Sequence, residues 1–199
     1  MSSTGRERGG YAKGRERRDA ILAAANEVFA TRGFRGASLA TIAKRVGMSE
    51  PGLLHHFASK EELLLELLKL RDQHDDERIA EARAAHAYVL DVVLELCRQN
   101  QERPGIVRLF TILAAESVDD DHPAHDWFLA RYGDRRSVLV DRLANAQREG
   151  TVDADLDADA VASQILAMFD GLQLQWLLDP AAVDMTAVFE DFLARLRPR

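Results

Sequence analysis

Between Ile42 and Phe57 the chain has to close one short helix and open another within a few residues. Ile42, Ala43 and Val46 recur at helical spacing and give the first segment one apolar face. Gly47 follows, where a chain leaving a helix needs a left-handed residue. Met48 is placed to plug the corner. Ser49 is a strong N-cap, because its hydroxyl accepts a backbone N–H that the first helical turn leaves open. Pro51 falls in that turn, where a missing N–H costs nothing. Leu53, Leu54 and Phe57 then offer apolar positions for packing back on the earlier helix, and Gly52, His55 and His56 fall largely on the other side. Ser59 and Glu62 have capping-box spacing and start a further helix at once.

A helix, a Gly-containing turn and a second helix form the unit that lays its second helix in a DNA major groove. The same spacing fits a plain helical hairpin inside an all-α domain. Charge separates the two readings. Residues 1–60 hold 11 Lys and Arg against 5 Asp and Glu, whereas residues 61–199 hold 15 against 28, within a net charge of −7. A basic N-terminal third on an acidic body points to a polyanionic partner at one end. A basic tail without a partner would give the same count. Residues 1–14 are Gly-rich, polar and basic, and are expected to form a disordered arm. Arg6, Arg8 and Lys13 would reach phosphates or a minor groove there, or serve only solubility.

The remainder reads as helices. The first runs from about Arg15 to Arg32 with Ile21, Leu22, Ala25, Val28 and Phe29 as its apolar stripe, and Gly33 ends it. Ser38 caps the second. A long helix starts at Lys60, with Leu63, Leu64, Leu67 and Leu68 apolar and Asp72, Asp75, Asp76, Glu77 and Arg78 solvated. Further helices are expected over about 86–101, 106–114, 124–148, 159–178 and 182–196, about nine in total in an all-α chain. The last two are apolar on more than one face, so they are buried or meet a second subunit. Asp153 to Asp159 resembles a calcium loop only superficially, since the glycine and terminal glutamate of an EF-hand are absent. It reads as the acidic entry to a helix. The single cysteine, Cys97, excludes an intrachain disulfide and suits a small core position in a reducing compartment. No apolar run approaches a membrane span of roughly 18 residues, so a soluble, cytoplasmic protein is expected. No nucleophile elbow, phosphate-binding Gly loop, metalloprotease helix or paired cysteines occur, so neither enzyme activity nor a cofactor is expected. His122, His125 and Asp126 lack further ligands at set spacing, and no metal is expected there. Phe110, Leu113, Trp127, Met168, Phe169, Leu172 and Trp176 are candidates to line a small-molecule pocket. Each is more often a plain core position, and a dimer interface is a further place for some of them.

The pattern Ile21-Leu-x-x-Ala25-x-x-x-Phe29-x-x-x-Gly33-Phe34 continues through Ser38-x-x-x-Ile42-Ala43-x-x-Val46-Gly47-Met-Ser49. It ends in Leu53-x-x-His56-Phe57-x-Ser59-Lys60-Glu61-x-Leu63. In this stretch the chain resembles the TetR family of bacterial transcription regulators. The resemblance implies a helix-turn-helix DNA-binding domain over residues 15–75 and a ligand-binding and dimerisation domain over residues 76–199. It implies a homodimer through the last two helices, and a small-molecule effector that releases a palindromic double-stranded operator. By position it implies a DNA-facing set of Ser38, Thr41, Ser49, Pro51, Gly52, His55, His56 and Lys60. Lys60 would share a phosphate with the backbone N–H groups of its helix start. Two departures stand out. The family often carries Lys where this chain has Glu50, and Tyr where it has Leu54. Losing a cation and a phenol weakens phosphate clamping, and Glu50 would instead accept from a cytosine amine. The alternative is a small-molecule-binding helical dimer that has lost specific operator recognition.

Overall fold

The computed structural model describes residues 4–86 and 88–198, with side chains from residue 14 onward. Among them the regular structure is helical: α1 (Thr4–Gly36), α2 (Leu39–Arg45), α3 (Glu50–Leu54), α4 (Lys60–Ala85), α5 (Val89–Gln101), α6 (Pro104–Glu116), α7 (His125–Arg148), α8 (Ala158–Leu178) and α9 (Met185–Ala194). The chain divides into two compact units, Met1–Arg71 and Asp72–Arg199. That division falls inside α4, upstream of the boundary expected at 75/76.

In the first unit α1 starts at Thr4, where a disordered arm was expected. Once a helix is nucleated, each added residue gains a hydrogen bond without a second nucleation cost, and Arg, Glu, Ala and Lys are good helix formers. Met1 to Ser3 lie outside the described residues, as do the side chains of Arg6, Arg8 and Lys13. Ile21, Leu22, Ala25, Val28 and Phe29 are buried as the stripe predicts. Gly33, with φ 66°, breaks the helix inside the α1 span. Phe34 then turns inward and its ring lies 5.9 Å from that of Phe29. Ile42, Ala43, Leu53, Phe57, Leu63, Leu64 and Leu68 are buried to within 1% around it. Each such large side chain contributes on the order of 1.5–3 kcal/mol. Leu54 does not join them. It is 39% exposed, because a helical step of about 100° that turns Leu53 inward carries the next residue out.

In the second unit α5, α6, α7, α8 and α9 share one core. Leu90, Leu94, Cys97, Val107, Leu143, Val161, Ile165, Leu172, Trp176, Phe189 and Leu193 belong to it. No residue of α4 does. The Cys97 thiol is pushed up to about 11 by burial. Asp157 caps α8, accepting from the backbone N–H groups of Asp159 and Ala160, so the acidic stretch is a helix entry as expected. The carboxylates expected to be solvated on α4 are only partly so. The Asp75 and Arg78 side chains are 12% and 11% exposed and lie 3.4 Å apart.

Candidate nucleic-acid interface

The turn between α2 and α3 follows from local chemistry. Ser38 caps α2 by accepting the Thr41 N–H at 3.2 Å, and the two hydroxyls are 2.9 Å apart. Gly47 has φ 66°, and its N–H reaches the Lys44 carbonyl at 3.2 Å. Ser49 caps α3 by accepting the Gly52 N–H at 3.2 Å, with Pro51 in the first turn. Ser59 accepts the Glu62 N–H at 3.1 Å, and the Glu62 carboxylate reaches back to the Ala58 N–H.

With Leu53 and Phe57 buried, α3 presents Ser49, Glu50, Pro51, Leu54 and His55 to solvent. Gly52 and His56 are half-buried, and the two imidazole rings stand edge to face at 6.0 Å. Ser38 is exposed and Thr41 half-buried at the start of α2. Eight of the nine nominated residues are thus exposed or half-buried, at the caps of α2 and α3 and on the surface of α3. Lys60 differs. Its ammonium donates to the carbonyls of Phe34 at 2.9 Å and Ala37 at 3.1 Å, and lies 4.2 Å from the Phe34 ring centre. It braces the turn between α1 and α2.

Two residues that sequence reasoning missed hold the other ends. Arg17 donates to the Val46 carbonyl at the end of α2, at 3.3 Å. Arg18 donates to the His56 carbonyl just beyond α3 at 2.9 Å and to the Glu66 carboxylate at 3.0 Å, and its guanidinium lies 4.1 Å from the Phe57 ring centre. Lys69, and after it Arg18, hold the Glu66 carboxyl below the ordinary carboxylate range. Adjacent arginines on α1 thus satisfy open carbonyls at the C-terminal ends of both short helices, where cations are favoured. The signal was present: Arg18 stands at helical spacing from Ile21, Leu22 and Ala25, a cation continuing an apolar stripe. Lys44, exposed in the last turn of α2, is a further cation beside this surface.

The nominated effector residues fall into two groups. Phe110 and Trp127 belong to an aromatic cluster on α6 and α7. Phe128 lies 5.0 Å from Phe110 and 4.8 Å from Trp127, and Tyr132 lies 6.4 Å from Phe128. Arg131 sits over the Phe110 and Trp127 rings at 5.0 and 5.3 Å. The Tyr132 hydroxyl donates to Asp170 at 2.6 Å, and burial, with that bond, raises its pKa. Leu113 is fully buried. The other group is on α8. Met168 and Leu172 line a groove of about 410 Å³ with Gln164, Ala167, Gly171, Gln175 and Phe192. Phe169 packs on Phe189 at 5.7 Å, and Trp176 is in the core. His122 and His125 are engaged in the loop before α7. The His122 Nδ1 lies 2.9 Å from the Ser117 hydroxyl and accepts the Ala124 N–H, and the His125 Nδ1 lies 2.9 Å from the Ser117 carbonyl.

Comparison with known proteins agrees with this geometry. The family described as bacterial regulatory proteins, tetR family, matches residues 21–67, and the one described as BetI-type transcriptional repressor, C-terminal, matches residues 85–198. The chain is 30% identical over 189 residues to the HTH-type transcriptional regulator TtgR of Pseudomonas putida, covering 89% of this chain and 88% of that protein. It is 29% identical over 176 residues to the HTH-type transcriptional regulator PksA of Bacillus subtilis, covering 85% and 82%. A TetR transcriptional regulator from Chloroflexus aurantiacus superposes with a TM-score of 0.80 at 25% identity, over 92% of this chain and 95% of that one.

Proposed function

The chain belongs to the TetR family of transcription regulators, and from that membership we propose that it is a repressor released from a palindromic operator by a small apolar effector. It is a regulator rather than an enzyme. One observation carries the DNA reading: α3 is capped at both ends, buried through Leu53, and turns Glu50, Pro51, Leu54 and His55 outward. The partner is double-stranded DNA, met in the cytoplasm by a homodimer. Two copies of α3 reading successive major grooves would stand about 34–36 Å apart.

The groove on α8 supports dimerisation through α8 and α9. It is apolar, and α8 and α9 also expose Leu174, Leu178 and Val188. The aromatic cluster on α6 and α7 supports an effector site, with Phe110, Leu113 and Trp127 as its apolar wall. A mobility-shift assay on the promoter beside the protein's own gene tests the proposal. A shift at low salt that weakens steeply as salt rises is expected. No shift at low salt would favour the second reading, a small-molecule-binding dimer without operator recognition. Two observations motivate that reading: the exposed carboxylate of Glu50 and the inward ammonium of Lys60.

A further inference from the structure

We propose that Leu54 reads the 5-methyl group of a thymine, and that Glu50, one turn earlier, accepts from the amine of a neighbouring base. Base selection in each half-site then rests on an apolar and acidic strip in place of a phosphate clamp. The inference rests on the DNA-reading function proposed above. Glu50, Pro51 and Leu54 are related by three and four positions, so they share one face of α3. All three are exposed. Scattered exposed leucines are ordinary. Among the described residues of the first unit, however, Leu54 is the one large apolar side chain left exposed. Its neighbours on the strip sharpen the point. A carboxylate only accepts hydrogen bonds, proline has no N–H, and leucine offers neither donor nor acceptor. The strip's side chains therefore present no donor to a phosphate, and a carboxylate beside the sugar-phosphate backbone would be repelled. The major-groove edge of the bases supplies what this strip can satisfy, since it carries amine donors and the thymine methyl. Side-chain donors for phosphates lie outside the strip, at Thr41 and Lys44 on α2 and at His55 just after α3.

The test uses the full-length protein. Half-sites are first selected from a random-sequence duplex pool. Each thymine of the selected site is then replaced in turn by deoxyuridine, which keeps the pairing and removes only the methyl. At one thymine per half-site the wild type should lose about fourfold in affinity, the value of one buried methyl. Leu54→Ala should bind the thymine and deoxyuridine duplexes equally, with an unchanged salt dependence. Leu54 is exposed, so this variant keeps the fold, and the wild-type measurement stands without it. Wild-type binding indifferent to every methyl would overturn this inference alone, as would full methyl sensitivity in Leu54→Ala. A protein that selects no duplex at low salt would instead overturn the DNA reading, and this inference with it.

Discussion

Lys60 sits where the chain's sequence places it, at the first position of α4, yet its ammonium faces away from the role that position suggests. The two carbonyls it binds belong to Phe34 and Ala37, 26 and 23 residues earlier, and no local pattern brings them within reach. Replacing Lys60 with Ala is expected to cost about 1–2 kcal/mol, through loss of charge-assisted bonds at a half-buried site. Chemical denaturation measures that cost. The salt dependence of operator binding should stay as in the wild type. A slope reduced by about one would show the ammonium on a phosphate and overturn its bracing role. Residues whose roles are settled by the next three positions were legible. Ser38, Ser49 and Ser59 act as the N-caps expected of them because that bond is local, and Asp157 opens α8 within the stretch expected to be a helix entry. Leu54 was not legible, since composition cannot tell which of two consecutive leucines faces the core.

The same contrast holds for whole helices. Helices with strong caps or breakers end near their expected positions: Gly33 and Gly47, both expected to close helices, have positive φ. α5 starts at Val89 rather than near 86, and its N-cap, Tyr88, makes no side-chain cap bond. No capping side chain marked that start. α4 shows what periodicity hides. Its C-terminal half contributes nothing to the shared core, and polar contacts tie it down. Arg131 of α7 pairs with Asp72 and with Asp75 at 2.7 Å, and Arg135 pairs with Asp76 at 2.7 Å. Arg78 donates to Gln99 and Asn100 of α5, each at 2.8 Å. Arg131 and Asp75 are 14% and 12% exposed, so breaking this pair leaves charge in a poorly solvated place. Arg131→Met is expected to destabilise the protein by about 3 kcal/mol, read as a lowered denaturation midpoint. Adding Asp75→Asn should cost less than the sum of the two single changes, because each single change already removes the bond that Arg131 and Asp75 share. Additive costs would show that the pair does not act as a unit.

At the scale of the molecule, the helix complement and the position of the helix-turn-helix were legible, because both follow from repeated apolar spacing and local punctuation. The two groups of nominated effector residues were not separable, since Phe110 and Met168 look alike in sequence and differ only in where α6 and α8 carry them. Met168→Glu sets a carboxylate in the apolar groove, so it should convert the dimer to a monomer in sedimentation experiments and weaken operator binding with it. A variant that stays dimeric would remove that groove from the interface. α3 spans only Glu50–Leu54, far below the length at which a helix persists unaided. It exists because Ser49, Arg18 and the buried Leu53 and Phe57 hold it. Warming will loosen so small an element before the larger cores give way. The grip on an operator should therefore fail some degrees below the melting of the protein, and the genes it governs would answer to heat while the regulator itself is still folded.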